Sequence, residues 1–178
     1  MKKWVKQLMM GMAVVVGLLV IGFGSPVNAQ AKKDSHLPSR TITYQIVTTS
    51  PTYRQAWTDA LKQWGKLHVV RFVPTTETAT VQLGTFTSKN KKNVFKTDQR
   101  TTYTQTGVFS TYKLDMNRRV IKKADTPKMA NKAIGIFLGL QPTSKKANSI
   151  LSPRKKAPAK PTRLDKQHLQ KLYKNVAY

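Results

Sequence analysis

The chain has no cysteine, three histidines and seven acidic residues among 178, with Glu77 the sole glutamate. Without cysteine there is no disulfide, no thiol nucleophile and no thiolate metal site, so an exported chain of this kind relies on side-chain packing or a bound metal. The histidines His36, His68 and His168 show no i, i+4 spacing, and helical metal binding needs such spacing to aim two rings at one ion. Calcium sites need clustered carboxylates, yet Asp34, Asp59, Glu77, Asp98, Asp115, Asp125 and Asp165 are scattered singly. No G-x-S-x-G elbow, P-loop or dinucleotide-binding glycine pattern is present. Asp115 and Asp125 could supply a carboxylate dyad, but each lies beside basic residues. The residue inventory argues against catalysis.

The scarcity of acid leaves 32 Lys and Arg in large excess, for a net charge of +25. Such a balance favours attraction to polyanions and says nothing about fold. Residues 1–29 read as a signal peptide: Lys2, Lys3 and Lys6 precede an apolar core from Leu8 to Phe23, Ser25-Pro26 breaks it, and Val27-Asn28-Ala29 forms a cleavage site. The apolar core approaches the ~20 residues that span a bilayer, so an uncleaved anchor is the alternative. Export without disulfides fits a secreted or cell-wall-associated protein of a Gram-positive-type bacterium. The polyanions available there are teichoic acids, anionic polysaccharide, anionic lipid and released nucleic acid.

Residues 30–40 read as a disordered leader and 41–178 as one domain, with no internal repeat. Thr41 to Thr48 alternates Ile42, Tyr44 and Ile46 with polar residues, predicting a half-buried strand. Ser50-Pro51 starts a helix whose apolar positions 53, 56, 57, 60, 61 and 64 form one stripe, with Gly65 at its end. His68–Val73 and Thr78–Thr85 are predicted strands. Ser88–Arg100 reads as a basic loop. Thr101–Gln105 and Val108–Met116 form a predicted hairpin, Asn117–Thr126 a basic turn, and Pro127 to Leu138 a helix. Gln141 to Pro161 is poor in apolar residues. Thr162 and Asp165 make a capping-box start for a last helix carrying Leu169, Leu172, Tyr173 and Val176. These elements describe an α+β domain, a sheet with helices.

The segment Lys132-Ala-Ile-Gly-Ile-Phe-Leu-Gly-Leu140, with Pro142 after it, resembles the metzincin helix H-E-x-x-H-x-x-G-x-x-H, and most closely the matrixin form H-E-I-G-H-A-L-G-L. Lys132, Ile136 and Pro142 stand at the ligand positions, Ala133 at the general-base position, and Gly139 at the glycine where the chain turns. Ser149-Ile-Leu-Ser-Pro153 resembles the matrixin Met-turn, with Leu151 in the methionine position. Ile42–Ile46, the helix of Tyr53 to Trp64, Val70–Pro74, Ala79–Leu83, Tyr112–Asp115 (as the edge-forming strand) and Leu164–Tyr173 resemble the family's successive elements. The resemblance covers roughly residues 41–175 and implies a metzincin (zincin-like) fold, a twisted mixed β-sheet with three helices.

It also implies a zinc site, and here the chemistry has gone. Lys132 would repel a divalent cation, Ile136 is an apolar wall, and Ala133 cannot take a proton. Glu77, in a loop, is a poor substitute base. No cofactor is expected, and an apolar contact of Ile136, Leu138, Leu140 and Leu151 is expected to replace the metal clip. The sequence therefore points to a pseudo-metallopeptidase that binds anionic cell-surface polymers, with a peptide or protein in a vestigial cleft as a further partner. The candidate polyanion-binding residues are Lys89, Lys91, Lys92, Arg118, Arg119, Lys122, Lys123, Arg154, Lys155 and Lys156. The alternative is an active zinc metallopeptidase with non-standard ligands. A third reading, an exported nucleic-acid-binding protein, would use Tyr103, Phe109 and Tyr112 for base stacking, although these are expected in the core.

Overall fold

A computed structural model describes residues 36–104 and 107–178; the signal-peptide segment and the first part of the leader lie outside the described residues. The fold is α+β: a five-stranded mixed sheet with three helices. In chain order these are β1 (Thr41–Ile46), α1 (Pro51–Gly65), β2 (Arg71–Pro74), β3 (Val81–Phe86), β4 (Phe95–Thr104), β5 (Gly107–Asn117), a 3-10 turn (Lys123–Asp125), α2 (Thr126–Phe137) and α3 (Arg163–Leu172). The sheet order is β2-β1-β3-β5-β4. β1 runs parallel to β2 and β3, β3 parallel to β5, and β4 antiparallel to β5.

Strand alternation sorts the side chains onto two faces. Ile42, Val81, Leu83, Leu114 and Met116 enter the core, while Gln82, Lys96 and Lys113 on the other face are exposed. All six residues of the predicted α1 stripe are buried. Both tryptophan ring nitrogens find acceptors: Trp57 Nε1 donates to Gly84 O at 3.1 Å and Trp64 Nε1 to Asn131 O at 2.9 Å. Ser50 occupies the N-cap with Pro51 after it, but its hydroxyl makes no capping bond. The capping box at α3 is complete, Thr162 and Asp165 each satisfying the other's backbone N–H.

Four expectations need correction. β4 is a ten-residue strand that extends the predicted hairpin strand back through Phe95–Arg100, the second part of the predicted basic loop. It has one neighbour and few buried positions, so it lacks the apolar alternation that marks a half-buried strand. Consequently β5, holding Tyr112–Asp115, is interior and β4 is the edge. β2 begins at Arg71, because the chain first reverses after α1 with His68 at φ 56°. Finally, residues 36–40 of the expected leader are held in place. Leu37 is 5% exposed; its N–H donates to Tyr173 Oη at 3.2 Å, and Arg40 donates to the carbonyl of Tyr173.

Candidate functional site

α2 ends as its sequence requires. Gly139 takes φ 93°, the left-handed conformation that glycine adopts without strain. Its N–H donates to Ile136 O at 2.9 Å, and that of Leu140 to Gly135 O at 3.1 Å. This pair of bonds is a Schellman stop, which satisfies the last carbonyls of the helix. Gly135 lies so close to Trp64 that an added Cβ would stand 2.8 Å from the indole and 3.5 Å from Leu151 Cδ2. Leu151 thus sits against α2. With Leu138 and Leu140 it is buried in the core, and half-buried Ile136 packs against that core.

The positions expected to correspond to metal ligands carry Lys132, Ile136 and Pro142. Lys132 is half-buried and its amine is pushed below the ordinary lysine range, first by burial and then by the charge of Lys128. Ala133 is buried, and Pro142 is exposed. An ammonium group, an aliphatic side chain and a proline ring do not fit zinc, whose protein ligands are imidazole, carboxylate or thiolate. Among the described residues no three of His, Cys, Asp or Glu come together. His36 sits 5.7 Å from the Tyr173 ring, His168 is exposed on α3, and His68 lines an open groove with Tyr44, Lys62 and Arg71. Glu77 and Asp125 are exposed, whereas Asp115 is buried in β5.

The loop after α2 is fixed from below by one carboxylate. Asp165, 1% exposed, accepts from Ser149 Oγ at 2.6 Å, Ile150 N at 3.1 Å and Thr162 N at 2.7 Å. Ser149 Oγ in turn accepts from Leu151 N at 2.9 Å. Tyr173 adds a second tie, its hydroxyl donating to Leu138 O at 3.2 Å. Burial pushes that phenol up to about 12.

The predicted basic residues behave differently, because hydrogen bonds tie two of their loops together. Asn117, fully buried at the end of β5, accepts through Oδ1 from Ser88 N and Arg119 N, both at 3.1 Å. Its Nδ2 donates to Ser88 O at 3.0 Å and Asn93 O at 2.8 Å. One side chain thereby ties the loop of Lys89, Lys91 and Lys92 to the turn of Arg118 and Arg119. Lys122 and Lys123 follow, and Thr126 Oγ1 donates to Lys122 O at 3.2 Å. Lys128, absent from the predicted set, donates to Lys155 O at 3.3 Å, joining the Arg154–Lys156 segment to the first turns of α2.

The result is a cationic pole where the parallel strands β3 and β5 terminate. All ten predicted residues are exposed except half-buried Arg154. The salt bridges among the described residues, Lys96–Asp98 and Lys113–Asp115, involve none of them. Sequence reasoning found the cations and missed Asn117, which carries no signal of its own beyond closing a strand.

The aromatic residues also depart from expectation. Tyr112 packs edge-on against Phe137 with ring centroids 5.4 Å apart, but Tyr103 and Phe109 stand in solvent. No helix among the described residues is long and apolar enough to cross a membrane. No protein-family model matches the chain, and no curated protein matches it in sequence.

Proposed function

We propose that this chain is a secreted matrixin-like pseudoenzyme, a metzincin scaffold that has lost its zinc chemistry and binds anionic polymers of the cell surface. The observation that carries the proposal is the pole itself. Asn117 gathers the cations of two loops, and the salt bridges among the described residues include none of them. Uncompensated charge raises the local concentration of a polyanion and speeds encounter. Support for the scaffold comes from the mixed sheet with three helices, the Gly139 stop and Leu151 against α2. Support for lost catalysis comes from the donor chemistry at Lys132, Ile136 and Pro142.

Binding to poly(glycerol phosphate) across a salt series tests this reading. Each phosphate contact releases counterions, so the slope of log K against log salt should fall by about 3–4 when four contacts are removed. The variant is Lys91→Gln, Lys92→Gln, Arg118→Gln and Arg119→Gln together. An unchanged slope would refute the pole, and stoichiometric zinc in the purified protein would refute the lost metal site.

A further inference from the structure

The β4–β5 hairpin runs past the sheet. β5 pairs with β3 only from Tyr112 to Asn117, whereas its pairing with β4 continues out to Gly107. The overhang carries apolar side chains that the fold leaves uncovered. Tyr103 is 79% exposed, Val108 62% and Phe109 56%, three of the five exposed large hydrophobics among the described residues. Tyr103 and Val108 are direct cross-strand partners, while Phe109 faces Thr102 in the next register position. Successive residues alternate faces, so the apolar surface wraps both sides of the overhang. A flat protein interface would use one side; a wedge entering a surface uses both.

Charge marks out the same segment. No Lys, Arg, Asp or Glu lies between Arg100 and Lys113, and a cation stands at each boundary. We infer that the overhang of β4 and β5 is an insertion device for an anionic lipid surface, with Tyr103, Val108 and Phe109 entering the headgroup level and Arg100 meeting lipid phosphate. Aromatic rings favour that interface, and basic residues beside it gain from anionic lipid. Insertion stays shallow, because the outer edge of β4 carries unpaired backbone groups that are costly in hydrocarbon. Val108 lies nine residues along β5 from Asn117, roughly 30 Å at strand rise, so this surface is separate from the cationic pole and does not rest on its assignment.

The test uses the full chain and vesicles of phosphatidylglycerol and phosphatidylcholine in equal parts. Tyr103→Ser, Val108→Ser and Phe109→Ser combined should weaken partitioning by about tenfold or more, with retention on heparin unchanged. Separately, Phe109→Trp should add indole emission that shifts blue on vesicles and is quenched by bromolipid. Partitioning equal to that of the parent chain would overturn the inference, assigning lipid binding to the pole or to the N-terminal apolar segment. An added emission that ignores bromolipid would also overturn it. So would overhang-dependent self-association without lipid, which would give the patch to a second copy.

Discussion

Two loop systems, the one after α2 and the one at the cationic pole, are each folded around a single buried polar side chain, to opposite ends. Asp165 draws Ser149, Ile150 and Thr162 onto itself, and the loop it holds is buried: Ser149, Ile150, Leu151 and Ser152 are all at or below 2% exposure. Asn117 ties Ser88, Asn93 and Arg119 together with comparable economy, yet the side chains around it, Lys89, Lys91, Arg118 and Arg119, point into water. The first arrangement converts hydrogen bonds into a packed floor for α2. The second converts them into a fixed display of charge. Removing either organiser should therefore cost stability, but only one should cost binding.

The sharpest way to break that contrast is Asp165→Ala. It strands buried donors on Ser149 and Ile150 and a half-buried one on Thr162, and each buried donor left without a partner costs about 1–3 kcal/mol. The expected loss is about 3 kcal/mol or more in chemical denaturation, while the natively folded fraction still binds poly(glycerol phosphate) with the parent salt slope. Weakened binding by the folded variant would mean that the two loop systems are coupled.

Asn117→Ala is the counterpart. Part of the buried loop backbone at Ser88 and Asn93 can reach water when the loops open, so the stability cost should be smaller, about 1–2 kcal/mol. Polyanion affinity should fall in the same variant, because the cations of the two loops are no longer held beside one another. A variant that loses stability yet keeps full affinity would show that the lysines act by net charge alone.

The contrast also explains what the sequence disclosed. The α1 stripe from Tyr53 to Trp64 was legible because helical periodicity reports burial directly, and the Thr162–Asp165 box because capping is local in sequence. The second task of Asp165, holding Ser149, was not legible, since it joins residues 16 apart. Asn117 was hidden for the same reason. The Phe95–Arg100 part of β4 escaped because an edge strand facing water on much of both sides has no apolar alternation to read. Tyr103 and Phe109 were expected inside the fold because alternation identifies a strand without revealing that its end passes beyond its neighbour. The cations were legible as residues but not as a pole, which needed the strand order to bring their loops to one end.

Asp115 supplies the third buried polar side chain and the smallest predicted effect, and it differs from Asp165 in being poorly satisfied. Its Oδ1 has no hydrogen-bond partner, its Oδ2 lies 3.7 Å from Lys113 Nζ, and an added methyl at Gly84 would collide with it. Burial pushes its carboxyl above the usual range, against the opposing pull of Lys113. A folded-state value above the unfolded one means that the neutral acid is preferred in the fold. That contribution is complete below the unfolded value, near pH 4, and is lost as pH rises through the folded value. At neutral pH the ionised group is therefore a net cost. Asp115→Asn should raise the melting temperature at pH 7, by an amount equivalent to less than about 1 kcal/mol because Lys113 already offsets part of the charge. The advantage should shrink towards pH 4, where the parent carboxyl also becomes neutral. An equal loss of stability at both pH values would instead place Asp115 beside Asp165, as a carboxylate that the fold needs.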